Sequence, residues 1–153
     1  MAARRRRWYR SGGLADVLII DDDDDSREAV SGFLSKSGHA VRRASGGREA
    51  LAAVSAKVPD AILLDVRMPG MDGMAVLDVL RSYLRWASVP VAILTAYPED
   101  SRLRHAAERG VSRVFLKSQV DLADVLAWIN QQGGPRPATA GDGDGLGPPG
   151  LGR

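Results

Sequence analysis

The chain contains no cysteine, which removes disulfides, thiolate metal centres and cysteine nucleophiles from consideration. Its two histidines, His39 and His105, are too few for a histidine-built metal site. No run approaches the ~18 apolar residues of a membrane-spanning helix. Five arginines fall within the first ten residues, but Ser11-Gly12-Gly13 follows them, and then only Val17 to Ile20 before an acidic block. Neither an ordinary nor a twin-arginine export signal therefore finds its apolar stretch of about 7–15 residues. These absences predict a cytoplasmic protein without membrane contact. No glycine-rich phosphate loop follows the first apolar run, which weighs against P-loop and dinucleotide-binding folds.

What remains is a chain of 153 residues, 44% hydrophobic and 26% charged, enough for one domain with a sizeable core and too short for two comfortable ones. The net charge of +2 conceals an asymmetry, because the arginine-rich first ten residues carry +5 and leave −3 for the rest. Residues 1–13 read as a basic, flexible tail, or as the product of an over-early start codon. Nucleic-acid binding by Arg4 to Arg7 and Trp8 is the less favoured reading; it requires an affinity that falls steeply with salt. Residues 132–153 are rich in Gly and Pro with almost nothing to bury, which predicts a disordered C-terminal tail. The folded unit is expected over residues 14–131.

Within it, short apolar runs alternate with helical spacings. Val17 to Ile20 and Ala61 to Leu64 read as buried strands, Pro90 to Leu94 and Val114 to Leu116 as a fourth and a fifth strand, and His39 to Arg43 as a weaker edge strand. Ala29, Val30, Phe33 and Leu34 mark a first helix; Ala50, Leu51 and Val54 a second; Val76, Val79, Leu80, Tyr83 and Leu84 a third. Leu103, Ala106 and Ala107 mark a fourth, stopped by Gly110, and Leu122, Val125, Leu126 and Ile129 a last one. Five strand-then-helix repeats predict an α/β domain, a five-stranded parallel sheet covered on both faces. The flavodoxin-like doubly wound order 2-1-3-4-5, a three-layer sandwich, is the expected topology.

The polar residues at the strand ends carry the chemistry. Asp21 and Asp22 end the first strand, Asp65 the third, Thr95 the fourth and Lys117 the fifth, so all should meet at one sheet edge beside the topological switch point. Three carboxylates alone would repel until one held a proton. A divalent cation together with Lys117 brings the charge to zero, and an oxygen-only donor set selects Mg²⁺, with Mn²⁺ as the alternative, over Zn²⁺. A phosphoryl group on Asp65 would share that metal, receive a hydrogen bond from Thr95 and face the charge of Lys117. Of the remaining acids, Asp23, Asp24 and Asp25 are expected to serve the first helix, with Asp24 or Asp25 capping it, and Asp72 to cap the third. Trp86 and Trp128 read as packing or partly exposed residues.

The runs Ile19-Ile20-Asp21-Asp22-Asp23, Leu63-Leu64-Asp65-Val66-Arg67-Met68-Pro69-Gly70-Met71-Asp72-Gly73, Leu94-Thr95-Ala96 and Leu116-Lys117, in order and at these spacings, resemble the receiver domain of two-component response regulators. The resemblance spans about residues 14–131 and implies a single-domain, chemotaxis-regulator-like switch. Such a switch is phosphorylated on aspartate with Mg²⁺ by a histidine kinase or a histidine phosphotransfer protein. It implies Asp65 as phosphoacceptor and Asp21, Asp22, Asp65 and the backbone carbonyl of Arg67 as metal ligands. Thr95 and Lys117 become the phosphate-sensing pair. It further implies a cytoplasmic phosphoprotein that is not an enzyme beyond self-phosphorylation from small donors and self-dephosphorylation. Its output would be contact with a downstream protein through helix four, strand five and helix five, with a phosphorylation-dependent homodimer as one form. Arg67 and Tyr97 stand two residues past Asp65 and Thr95, where their bulk would keep water from the acyl phosphate and slow its loss.

Two positions depart from the family pattern. Val114 occupies the place of an aromatic residue that turns inward on activation, and Phe115, one step on, points to the opposite face. Ser118 replaces a proline that follows the lysine through a cis bond. A non-proline cis bond costs about 2.5–4 kcal/mol, so Ser118 implies retained strain or a rebuilt loop. The alternative these departures motivate is a pseudo-receiver, the same fold used as a constitutive protein-binding module.

Overall fold

A computed structural model describes residues 14–132, so the expectations for the basic tail and for residues 133–153 lie outside the described residues. Its elements are β1 (Asp16–Ile20), α1 (Asp24–Lys36), β2 (Ala40–Ala44), α2 (Gly47–Ala56), β3 (Ala61–Leu64), α3 (Gly73–Ser82), β4 (Val91–Thr95), β5 (Val111–Leu116) and α4 (Leu122–Gln132). All strand pairs are parallel, in the order β2-β1-β3-β4-β5. This is the flavodoxin-like topology expected from the alternation of apolar runs and helical periods. Gln132, read from the sequence as the start of the tail, is the last residue of α4.

Side chains alternate across the sheet and build two cores. Leu18, Ile20, Ile62, Leu64, Val91 and Ile93 face α2 and α3, where they meet Val54, Val76, Leu77 and Leu80. Val17, Ile19, Leu63, Ala92, Leu94 and Phe115 face α1 and α4, where Val30, Leu34, Val125, Trp128 and Ile129 close over them. β1, β3 and β4 are buried on both faces, which is why they read as unbroken apolar runs. β2 is largely uncovered, as its edge position requires. Trp128 is buried, and its indole N–H donates to Ser112 Oγ at 3.0 Å, beside the irregularity where β5 pairs with β4.

The expected fourth helix is not formed. Ser101–His105 and Ala107–Arg109 make two 3₁₀ turns instead. The cause is a shortage of anchor: only Ala106 in this stretch is buried and Leu103 is partly so, too little apolar stripe to hold a helix against the sheet. Gly110, in the left-handed region at φ 79°, then turns the chain into β5.

The register sets the functional edge. Ile20 lies opposite Leu64, and one step on, the Asp65 N–H donates to the Ile20 carbonyl at 2.9 Å. Thr95 lies opposite Leu116, and the Lys117 N–H donates to the Thr95 carbonyl at 2.7 Å. Gly73 fixes the loop after β3. A Cβ there would lie 2.1 Å from the Asp65 carbonyl oxygen and 2.8 Å from Val66 Cα, so only glycine lets α3 start this close to the strand end.

Candidate functional site

One carboxylate oxygen from each of Asp21, Asp22 and Asp65 lies within 4.8 Å of the others. Asp21 and Asp65 are buried and Asp22 is exposed. The loop behind them is held by its own backbone. Asp21 Oδ1 accepts the Asp23 N–H at 2.9 Å, and the Asp21 carbonyl accepts from Arg27 at 2.7 Å, while Arg27 also pairs with Asp24. The cap of α1 is Asp23, whose carboxylate accepts the Asp25 N–H at 3.2 Å. This corrects the expectation for Asp24 or Asp25. Asp23 is the last residue with extended backbone, whereas Asp24 and Asp25 are already in the first turn, where their charge suits the helix dipole.

Lys117 bridges the acids, with Nζ 2.7 Å from Asp21 Oδ2 and 3.5 Å from Asp65 Oδ2. Burial opposes its charge, but the hydrogen bond to Asp21 and the charges of Asp21 and Asp65 outweigh that and raise its pKa. The Asp65 carboxyl moves the other way from an ordinary acid, up to about 6. Burial is the main cause; Lys117 pulls it back, the neighbouring Asp21 charge pushes it up, and the Arg67 N–H, at 3.4 Å from Oδ1, is a weak counterweight. An acid lifted by burial and a like charge beside a half-compensating lysine is what a bound dication would relieve. The oxygen-only donors fit a hard cation of the Mg²⁺ type.

Thr95 is fully buried. Its Oγ1 accepts the Tyr97 N–H at 3.1 Å, which leaves its own hydroxyl proton for a ligand. Val114 is 40% exposed whereas Phe115 is buried, the reversal of face expected between them. No peptide bond among the described residues is cis. The chain after Lys117 is a turn in which the Gln119 N–H donates to the Leu116 carbonyl at 2.9 Å, so of the two alternatives for Ser118 the structure has the rebuilt loop.

A second set of charges adjoins the site, and sequence reasoning missed it. Asp100, a buried acid, accepts from the Arg102 side chain at 2.7 and 2.9 Å and from its N–H at 3.0 Å. Those bonds, foremost the side-chain ones, hold its carboxyl well below the usual range. Arg102 reaches on to Asp72 Oδ2 at 3.0 Å, and Asp72 Oδ1 caps α3 through the Ala75 N–H at 2.9 Å, as expected of Asp72. Arg67 touches the set only lightly, 3.4 Å from Asp100, and its guanidinium lies 3.8 Å over the Tyr97 ring. These contacts join residues about thirty positions apart in two loops, and no local pattern announces them.

Comparison with known proteins places this geometry. A family model described as the response regulator receiver domain matches residues 17–130. The chain is 35% identical to the DNA-binding transcriptional regulator NtrC of Salmonella typhimurium over 85 residues, 56% of this chain and 18% of that one. It is 29% identical to the protein PilH of Pseudomonas aeruginosa over 101 residues, covering 66% of this chain and 83% of PilH. The solved structure of the chemotaxis protein CheY4 of Vibrio cholerae superposes with a TM-score of 0.70 at 28% identity, covering 77% of this chain and 98% of CheY4. The chain spans less than half the length of the first curated relatives it matches. Among the described residues no helix is long and apolar enough to cross a membrane.

Proposed function

The chain belongs to the response regulator receiver domain family, and from that premise we propose that it is a phosphorylation switch whose phosphoacceptor is Asp65. The observation that carries this reading is the convergence of Asp21, Asp22 and Asp65 with Lys117 lodged between two of them. Asp21, Asp22, Asp65 and the Arg67 carbonyl would hold Mg²⁺ or Mn²⁺, which when bound neutralises the carboxylates and the incoming phosphoryl oxygens. Asp65, with its carboxyl at about 6, is mostly ionised at neutral pH and so remains a nucleophile. One of its oxygens attacks the phosphorus of a phosphohistidine on a kinase or phosphotransfer protein. The P–N bond breaks, and its electron pair leaves on the imidazole, which takes a proton from solvent. Thr95 then donates its hydroxyl proton to a phosphoryl oxygen, and Lys117 shifts its charge from Asp21 toward the phosphoryl group.

The output is contact with a downstream protein, in a cytoplasmic regulator that acts as a phosphoacceptor switch and not as a conventional enzyme. The surface runs from Tyr97 through the 3₁₀ turns to β5 and α4, where Tyr97 and Val114 are exposed; a second copy of the chain is one candidate partner. The test is incubation with Mg²⁺ and acetyl phosphate or a cognate kinase. A base-labile phosphoprotein adduct is expected, lost in Asp65→Ala. No adduct, or one that persists in that variant, refutes the assignment. Partner affinity that ignores beryllofluoride would instead favour the constitutive pseudo-receiver.

A further inference from the structure

Of the cations around Asp65, Lys117 is committed to Asp21 at 2.7 Å and Arg102 to Asp100 and Asp72 at 2.7 and 3.0 Å. Arg67 is different. Its side chain is 47% exposed, its ion pair with Asp100 is 3.4 Å long, and Asp100 is already satisfied by Arg102. What keeps the guanidinium in place is largely the Tyr97 ring beneath it. Its main chain meanwhile touches Asp65, since the Arg67 N–H lies 3.4 Å from Oδ1. Arg67 is thus the loosest cation near the point where a phosphoryl group would bring close to two negative charges and three acceptor oxygens. A guanidinium prefers such a group, which it can grip with two parallel N–H donors, to a single long carboxylate contact.

We propose that Arg67 is a further phosphoryl-binding residue, which exchanges Asp100 and the Tyr97 ring for the oxygens of a phosphoryl group on Asp65. This rests on the reading of Asp65 as the phosphoacceptor. The exchange has a consequence for the surface. Among the described residues, the ion pairs that tie the loop after β3 to the segment after β4 are those of Arg67 with Asp100 and of Arg102 with Asp72. When Arg67 leaves, Tyr97 loses its cation and Asp100 one of its donors. The segment then depends on 3₁₀ turns with inherently poor hydrogen-bond geometry and little buried apolar surface. It loosens around Tyr97 and Ser101–His105. A signal thereby reaches the outer surface without an aromatic residue at position 114.

The test uses the full chain with Mg²⁺ and beryllofluoride as the phosphoryl mimic, reading its affinity and the amide hydrogen exchange of residues 97–109. Wild type is expected to bind the mimic and to exchange several-fold faster over 97–105 when it is bound. Arg67→Ala should bind it roughly 5–20-fold more weakly, with fast exchange whether the mimic is present or absent. Arg67→Lys, which keeps the charge but loses the fork and the flat stacking surface, should fall between them. Asp100→Asn, which weakens the competing partner, should bind the mimic at least as tightly as wild type. Wild-type affinity in Arg67→Ala, or exchange over 97–105 that beryllofluoride leaves unchanged in wild type, overturns this proposal alone. Failure of wild type to bind beryllofluoride, or equal binding by Asp65→Asn, overturns the phosphoacceptor reading and this one with it.

Discussion

Asp65→Asn is expected to stabilise the protein at neutral pH when no divalent cation is bound. The carboxyl sits at about 6 in the folded chain against 3.8 for an ordinary aspartate. Between those values the folded state holds more protons than the unfolded one, so stability falls as pH rises and levels off above about 6. At 1.36 kcal/mol per pH unit the loss across that interval is about 3 kcal/mol. The buried position of the side chain spares it solvent screening. Asparagine has nearly the same shape and no charge, and it leaves the Asp21–Lys117 pair intact. In chelator at pH 7.5 it should gain about 2–3 kcal/mol over wild type. Mg²⁺ should close the gap, because a ligand at a hundred times its Kd stabilises by about 2.7 kcal/mol. Asp100 acts in the opposite sense. Its pKa is depressed by Arg102, so its contribution is complete above the ordinary carboxylate range and is lost only as pH falls below about 4. Urea unfolding from pH 2 to 8, with chelator and with saturating Mg²⁺, checks all of this. A variant less stable than wild type in chelator at pH 7.5, or a wild-type curve that is flat between pH 4 and 6, would refute the reasoning.

Gly73→Ala should cost about 3 kcal/mol, since its Cβ would strike the Asp65 and Val66 backbone, which cannot move aside as a side chain can. Gly32→Ala, in open space within α1, should instead gain up to about 1 kcal/mol; thermal unfolding of the pair compares them directly. Asp72→Ala removes both the α3 cap and a partner of Arg102, for a loss of about 1–2 kcal/mol in denaturant titration. Arg67→Ala combined with Tyr97→Ala removes two bulky side chains that cover the surroundings of Asp65 and should shorten the aspartyl-phosphate lifetime severalfold in a ³²P-decay assay. An unchanged lifetime would remove the cover from the account.

The parts legible in the sequence are those set by burial on both faces or by position at a strand end. Val17 to Ile20 and Ala61 to Leu64 had to be strands of a covered sheet, and Asp21, Asp65, Thr95 and Lys117 then had to share its edge. The cap at Asp23 was missed because five identical acids in a row offer no local signal of where the helix starts. Its place is decided by which residue keeps extended backbone. The Arg67–Asp100–Arg102–Asp72 set was missed for a different reason. Its pairings depend on how two loops lie against each other, and each residue alone reads as an ordinary surface charge.

The absence of the expected helix after β4 and that of an aromatic residue at position 114 on β5 have one physical origin. Val114 pairs with Ile93, and Ile93 belongs to the core shared with α2 and α3, so position 114 points to the face that a helix after β4 would cover. With only two 3₁₀ turns there, that face lies open and Val114 is 40% exposed. An aromatic ring at 114 would have no helix to pack beneath and would leave a large apolar surface in water. A small β-branched residue is the side chain such a strand tolerates. An aromatic group beside the site is instead Tyr97, supplied from the loop after β4, attached through its N–H to Thr95 and through its ring to Arg67. Thr95 and Arg67, the residues proposed to receive a phosphoryl group on Asp65, already hold Tyr97, one at its backbone and one at its ring. A phosphoryl group that engages Thr95 and Arg67 acts on Tyr97 through both at once, which makes this loop, and not β5, the first part of the surface to register the change.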